Sequence, residues 1–183
     1  MPGKIVDACC LINVYASGRM EPILRALGGN LFLNDVVRRE ALYIRCRDDE
    51  DAGSLVPEAI DLSAAFQAGL IQECQVEGES ETEWFVDFAM ELDDGEAASL
   101  TIAKCRGWTV STDDRKAMRV AQQHGIPTLT TPEIIKTWAD DPGVDDEDVA
   151  EVLRNIQLFA RFVPHRNSPL RRWWNLMAGI GEA

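Results

Sequence analysis

The sequence predicts an α/β fold of three layers, with a central, mainly parallel sheet between helices and a helical extension at the C-terminus. Three observations predict it. Short apolar runs alternate with amphipathic helical segments up to about residue 139. Aspartates close two of those runs, as ligand sites do at the carboxyl ends of parallel strands. An acidic linker then separates one more amphipathic helix from the preceding units.

Residues 4–9 read as a short buried strand and 10–17 as a helix-compatible segment opening just after Asp7. A second helix over 19–27 stops at Gly28-Gly29, and Asn30-Leu-Phe-Leu gives the next strand. From Asn34, a cap, Val36, Val37, Glu40, Ala41 and Ile44 recur at three- and four-residue spacing, which predicts a helix with Glu40 close to its apolar face. Residues 47–53 form a charged loop, Pro57 to Gly69 a mixed helix or turn, and Leu70 to Val76 a strand. A hairpin-like addition falls in this region.

Trp84, Phe85, Phe88, Ala89 and Leu92 form a helical stripe, and a further helix starts around Asp93-Asp94-Gly95-Glu96 and closes at Gly107. Trp108 to Ser111 is a strand ending at Asp113-Asp114, Arg115 to Gln123 a helix, and Ile126 to Leu129 another strand. Thr131-Pro132 opens a helix to about Trp138. The expected division is a catalytic unit over 1–139, followed by an acidic linker and a helical, basic extension over 140–183. In the extension Val149, Val152, Leu153, Ile156, Phe159 and Ala160 share one helical face, and arginines accompany Trp173 and Trp174 in the tail.

At 46% hydrophobic and 27% charged residues, the chain has the composition of a folded protein and no apolar run that approaches a membrane span. Its start lacks the long apolar segment of a secretory signal, so a cytoplasmic location is expected. Five cysteines with no CxxC spacing suggest neither a disulfide framework nor a thiolate zinc site. The net charge of −13 argues against broad adhesion to nucleic acid, which calls for clustered Lys and Arg. Two features offset it: a divalent cation neutralises a carboxylate cluster locally, and basic patches hide within a whole-chain sum. Arg38 and Arg39 beside Glu40, with Arg115 and Lys116 after Asp114, are the candidate RNA-binding cations; a solvated helix face explains them equally well.

Taken singly, the acids have ordinary explanations, since Asp7 or Asp114 can cap a helix and Glu96 can sit in a first turn for its dipole. In combination they recur at equivalent topological points: Asp7 after the first strand, Glu40 on a helix, Glu96 at a helix start and Asp114 after a later strand. Carboxylates brought together repel and raise one another's pKa, so such a cluster normally holds a metal. Oxygen ligands alone select Mg²⁺ or Mn²⁺. Asn13 is placed to support Asp7, and Thr112 or Ser111 to orient the last acid. His124 and His165 read as a helix-end and a tail residue with no catalytic role.

Ile5-Val-Asp7-Ala-Cys-Cys-Leu-Ile-Asn13, Val37-Arg-Arg-Glu40, Gly95-Glu96-Ala-Ala-Ser-Leu-Thr-Ile-Ala103 and Val110-Ser-Thr112-Asp113-Asp114 resemble, in order, the motifs of PIN-domain nucleases. The resemblance spans roughly residues 4–139 and implies a PIN-like fold with Asp7, Glu40, Glu96 and Asp114 as catalytic acids and metal ligands, and Asp113 as an accessory acid. It further implies a Mg²⁺- or Mn²⁺-dependent ribonuclease, commonly the toxin of a VapC-like toxin–antitoxin pair, with a cognate antitoxin and a homodimer as partners. The third acid departs from the commoner Asp; Asp93 and Asp94 stand close enough to confuse the assignment, and Asp94 competes with Glu96 for that place. Two other readings stay open: a catalytically silent PIN-like scaffold that binds a partner or RNA, and a phosphoaspartyl enzyme using Asp7. A dinucleotide or P-loop site is excluded by the lack of a GxGxxG or GxxxxGK[ST] loop.

Overall fold

The computed structural model describes residues 2–40, 42–47 and 54–179. Its chain divides into two compact units, the first made of Met1–Leu11, Gly28–Ala41 and Leu62–Thr130, the second of Ile12–Leu27, Leu42–Asp61 and Thr131–Ala183.

The first unit is built on five strands: β1 (Lys4–Val6), β2 (Leu31–Asn34), β5 (Ile71–Cys74), β6 (Thr109–Ser111) and β7 (Thr128–Leu129). They pair in the order β5-β2-β1-β6-β7, and every pairing is parallel. Helices flank this sheet, giving the α/β PIN-like fold. The chain runs outward from β1 through β2 to β5, then returns to the other side of β1 for β6 and β7. The order therefore reverses between β1 and β6, and parallel sheets of this kind take ligands at the carboxyl ends of strands beside such a switch point. Asp7 ends β1 there, and Thr112, Asp113 and Asp114 follow β6.

Helix α6 (Asp94–Arg106) is the inner helix of this unit, contacting β1, β2 and β6 and the helices α3 (Asp35–Arg39), α5 (Gly78–Ala89) and α7 (Arg115–Gln123). Its sequence explains the position: Ala97, Ala98, Ser99, Leu100, Thr101, Ile102 and Ala103 are all buried, and a helix apolar or small on every side belongs inside. Gly107 ends it in the left-handed conformation, φ 67°, as a helix C-cap favours. Ile5, Leu100, Val110, Val120 and Phe88 fill the core around it, and Trp108 stacks on Phe32 at 4.2 Å between centroids. The Trp84 and Phe88 stripe is helical as expected, and His124 ends α7 edge-on to both rings. Arg106 anchors α5 to the end of α6 through the buried Glu81 carboxylate, at 2.7 Å, and donates to the Gln75 carbonyl.

The second unit holds α2 (Met20–Ala26), an antiparallel hairpin of β3 (Tyr43–Arg47) and β4 (Leu55–Ala59), α8 (Thr131–Ala139), α9 (Asp146–Asn155) continued by a π-helical turn Ile156–Ala160, and α10 (Arg171–Ala178). Helix α2 packs on α8 and α10 on α9, while β3 lies against the π-helical turn. Trp174 is fully buried with Phe162 edge-on at 5.7 Å, so this tail tryptophan is a core residue. Helix α1 (Ala8–Ala16) begins in the first unit and ends in the second, while α4 (Ser63–Gln67) precedes β5 in the first. Among the described residues no helix is long and apolar enough to cross a membrane.

One expectation fails here. The helix expected from Asn34 through Ile44 ends at Arg39, and Tyr43–Arg47 is a strand paired with Leu55–Ala59. The spacing of Val36, Val37 and Ile44 imitates a helical stripe, but Tyr43 and Ile44 are also strand formers, and a partner strand twelve residues on satisfies their backbone. Ala41 and residues 48–53 of the expected charged loop lie outside the described residues.

Candidate active site

Asp7 leaves the end of β1 almost fully buried, 5% exposed. Its Oδ1 accepts from the Ala8 N–H at 2.8 Å, and its Oδ2 accepts from Thr112 Oγ1 at 3.0 Å and from the Cys9 thiol at 3.4 Å. Burial pushes its pKa up; the three donors oppose the rise, and the nearby charge of Asp93 adds to it. Thr112 is itself fixed, because its hydroxyl also accepts from the Asp114 N–H at 3.1 Å. One hydroxyl thus ties the acid after β1 to the acid after β6. Ser111, the other residue proposed for that work, has a buried hydroxyl with no hydrogen-bond partner among the described residues.

Asp114 caps α7, its Oδ1 accepting from Lys116 N at 2.7 Å and Ala117 N at 2.8 Å. The capping role that sequence allows is therefore real, and it uses one oxygen; Oδ2 makes no hydrogen bond among the described residues. Asp93 caps α6 in the same way, with Oδ1 accepting from Glu96 N at 2.9 Å. Both caps leave an oxygen for other work.

Glu40 sits past the end of α3 as its C-cap, in extended conformation and exposed, where the sequence had placed it on a helix's apolar edge. Asn34 aims this segment. Its Oδ1 caps α3 through Val37 N at 2.8 Å, while its buried amide donates to the Gly95 carbonyl at 3.1 Å and to Ser99 Oγ at 2.8 Å. The end of β2 is thereby tied to the start of α6, and Glu40 comes over Gly95. A methyl group on Gly95 would lie 2.9 Å from Glu40 Oε1, 3.1 Å from Val37 Cγ2 and 3.6 Å from Asp93 Oδ1. Only glycine leaves room for that approach.

Glu96, half-buried in the first turn of α6, is pushed up to about 7 by burial first, then by the charges of Asp93, Asp114 and Asp7. A helix N-terminus favours a carboxylate, so the rise means that burial and three acid neighbours outweigh the dipole. Glu40 is likewise raised, by burial and then by Asp93 and Asp7. Asp7 thus bears on both Glu40 and Glu96, and Asp114 on Glu96. Asp94, the competitor for the third place, lies exposed on the first residue of α6 and appears among none of these neighbours. Asp93 appears in all three sets, where the sequence had offered it only as a residue close enough to Glu96 to confuse the third place. The signal was present in its capping position three residues before Glu96, where the first turn directs an N-cap carboxylate toward that residue.

Among the described residues no Lys or Arg pairs with Asp7, Glu40, Asp93, Glu96 or Asp114. Five acids with raised or shared charge, free oxygens and no cationic partner fit a divalent cation bound through oxygen. Asp113 turns elsewhere, its Oδ2 accepting from the Cys10 thiol at 3.3 Å. Asn13 belongs to the second unit, where its amide donates to Thr131 Oγ1 at 3.1 Å. Of the cations, Arg38 pairs with Glu73 and covers the Phe66 ring, Arg39 pairs with Asp35, and Lys116 donates to the Glu91 carbonyl. Arg115 is exposed with no ion pair among the described residues.

Sheet order, switch point and acid cluster together define an α/β fold with a group of acids gathered at the carboxyl ends of its central strands. A family model described as a PIN domain matches residues 4–165, and the chain belongs to the PIN-domain family. That membership points to nuclease activity in general, a class that generally uses divalent metals. No curated protein matches the chain.

Two predictions follow from the geometry. Glu96 holds its proton more tightly in the folded state, so metal-free protein should be most stable below about pH 4.5 with respect to this group and should lose that stability as pH rises toward 7. Thermal unfolding across this range should show a fall in midpoint that Glu96→Gln flattens and that Mn²⁺ opposes. Gly95→Ala should fold with a stability within about 1 kcal/mol of the parent, because Ala suits a helix, yet bind Mn²⁺ about tenfold more weakly by displacing Glu40. Calorimetric titration reads this, and unchanged affinity would show that Glu40 takes no part.

Proposed function

We propose that this protein is a metal-dependent endoribonuclease that hydrolyses RNA phosphodiester bonds, with Asp7, Glu40, Glu96 and Asp114 as its catalytic acids and Asp93 beside them. The observation that carries the reading is the convergence of these acids at the carboxyl ends of β1 and β6 with their charges unpaired by any cation among the described residues. Membership of the PIN-domain family supports nuclease chemistry, and the motif resemblance supports RNA as the substrate class and the toxin half of a toxin–antitoxin pair as the role.

Asp7 and Asp114 are the fixed members, since Thr112 and the α7 backbone hold them before any cation arrives. Asp7, Glu96 and Asp114 would hold Mg²⁺ or Mn²⁺, with Glu40 closing over Gly95. When bound, the ion lowers the pKa of a water and offsets charge on the scissile phosphate. Arg115, exposed at the start of α7 next to Asp114, is the cation best placed to meet an RNA phosphate. Arg38, Arg39 and Lys116 are already engaged with neighbouring acids or a carbonyl, so their contribution to RNA binding is smaller.

Purified protein incubated with end-labelled single-stranded RNA should cleave internally in Mg²⁺ or Mn²⁺ and not in EDTA. Asp7→Asn and Asp114→Asn, with unchanged circular dichroism, should each slow cleavage by about a hundredfold. Cleavage by either variant at the parent rate, or cleavage that survives EDTA, contradicts the proposal.

A further inference from the structure

Beside the carboxylates lies a second group of metal-ligating atoms with different chemistry. Cys9 and Cys10 are consecutive residues in the first turn of α1, and Asp113 follows β6, more than a hundred residues away. Cys10 Sγ stands 3.3 Å from Asp113 Oδ2, and Cys9 Sγ accepts from the Asp113 N–H at 3.3 Å. The two sulfurs and the carboxylate oxygen all lie within 4.8 Å of one another. Both cysteines are free thiols; Cys10 is buried, while Cys9 and Asp113 are half-buried.

We propose that Cys9, Cys10 and Asp113 form a binding site for one Zn²⁺ ion, separate from the oxygen-only site and selective for a thiophilic cation. Two thiolates and a carboxylate supply three of the four tetrahedral positions of zinc, leaving one for water. Thiolates about 2.3 Å from a common ion stand roughly 3.8 Å apart, so a spacing of no more than 4.8 Å needs at most a small closure. Sulfur ligands discriminate against Mg²⁺, which prefers an octahedron of oxygens. The thiol protons leave to solvent as the ion binds.

Cys9 links the two sites. Its thiol donates to Asp7 Oδ2 at 3.4 Å and stands 3.7 Å from Thr112 Oγ1. Ligation of Cys9 removes one of the three donors that hold the Asp7 carboxylate, so Zn²⁺ occupancy changes the acid that the nuclease reading uses. That consequence rests on the proposed function; the site itself does not. Sequence spacing hides such a site, because adjacent cysteines match no zinc motif until the sheet brings Asp113 to them.

The test is titration of the full chain with Cd²⁺, in a reductant free of thiols, following the ultraviolet thiolate-to-metal charge-transfer band. The band should saturate at one equivalent and be displaced by Zn²⁺ but not by Mg²⁺. Asp7→Asn and Cys105→Ser should retain it, Cys10→Ala and Cys9→Ala should lose it, and Asp113→Asn, which keeps both thiols, should weaken binding by at least about tenfold. Absence of a saturable band in the parent chain overturns the proposal, as does a band that is unaltered in Cys9→Ala and Asp113→Asn. A parent chain that shows the band yet cleaves no RNA in Mg²⁺ or Mn²⁺ would count against the nuclease reading alone.

Discussion

Mutual repulsion among five carboxylates is the constraint around which the first unit is arranged. Asp7, Glu40, Asp93, Glu96 and Asp114 come from four separate stretches of chain, and gathering them has a cost: burial first, then the charges of Asp93, Asp114 and Asp7, push Glu96 up to about 7. The fold tolerates that cost by giving several acids a structural task. Asp93 and Asp114 cap α6 and α7, and Asp7 accepts three hydrogen bonds. Each cap uses one oxygen of its carboxylate and leaves the other over. In the proposed function a divalent cation would complete the arrangement, where an Arg or Lys would have neutralised it permanently.

Neutral groups do the positioning. Thr112 joins the ends of β1 and β6 through one hydroxyl, and Asn34 joins the end of β2 to α6 with two hydrogen bonds while capping α3 with a third. Neither changes the charge of the site, so its acids stay unneutralised. Gly95 contributes by lacking a side chain, which lets Glu40 reach the same edge. The small residues along α6 allow this helix to lie against β1, β2 and β6, which holds Glu96 at the sheet's carboxyl edge.

Much of this was legible in sequence, because parallel strands read as short apolar runs and their helices as stripes of period 3.6. The positions of Asp7, Glu96 and Asp114 follow from strand and helix ends alone. Glu40 was located correctly along the chain but on the wrong element, since Val36, Val37 and Ile44 fit helix and hairpin alike and the pairing of Tyr43–Arg47 with Leu55–Ala59 decides between them. Asp93 was noticed only as a neighbour that confuses the Glu96 assignment, because a capping Asp before a helix has an ordinary explanation that hides a second use. The group formed by Cys9, Cys10 and Asp113 was illegible for a different reason: it depends on which strands are neighbours, and β1 pairs with β6 across most of the chain.

The account stands on a divalent cation held by the acids at the carboxyl edge of β1 and β6. Anomalous diffraction from crystals grown with Mn²⁺ tests this most directly. A peak within coordination distance of Asp7 and Asp114, with Glu96 as a further ligand, is the result predicted. Ordered carboxylates with no manganese among them at saturating ion, or manganese bound only elsewhere, would contradict it.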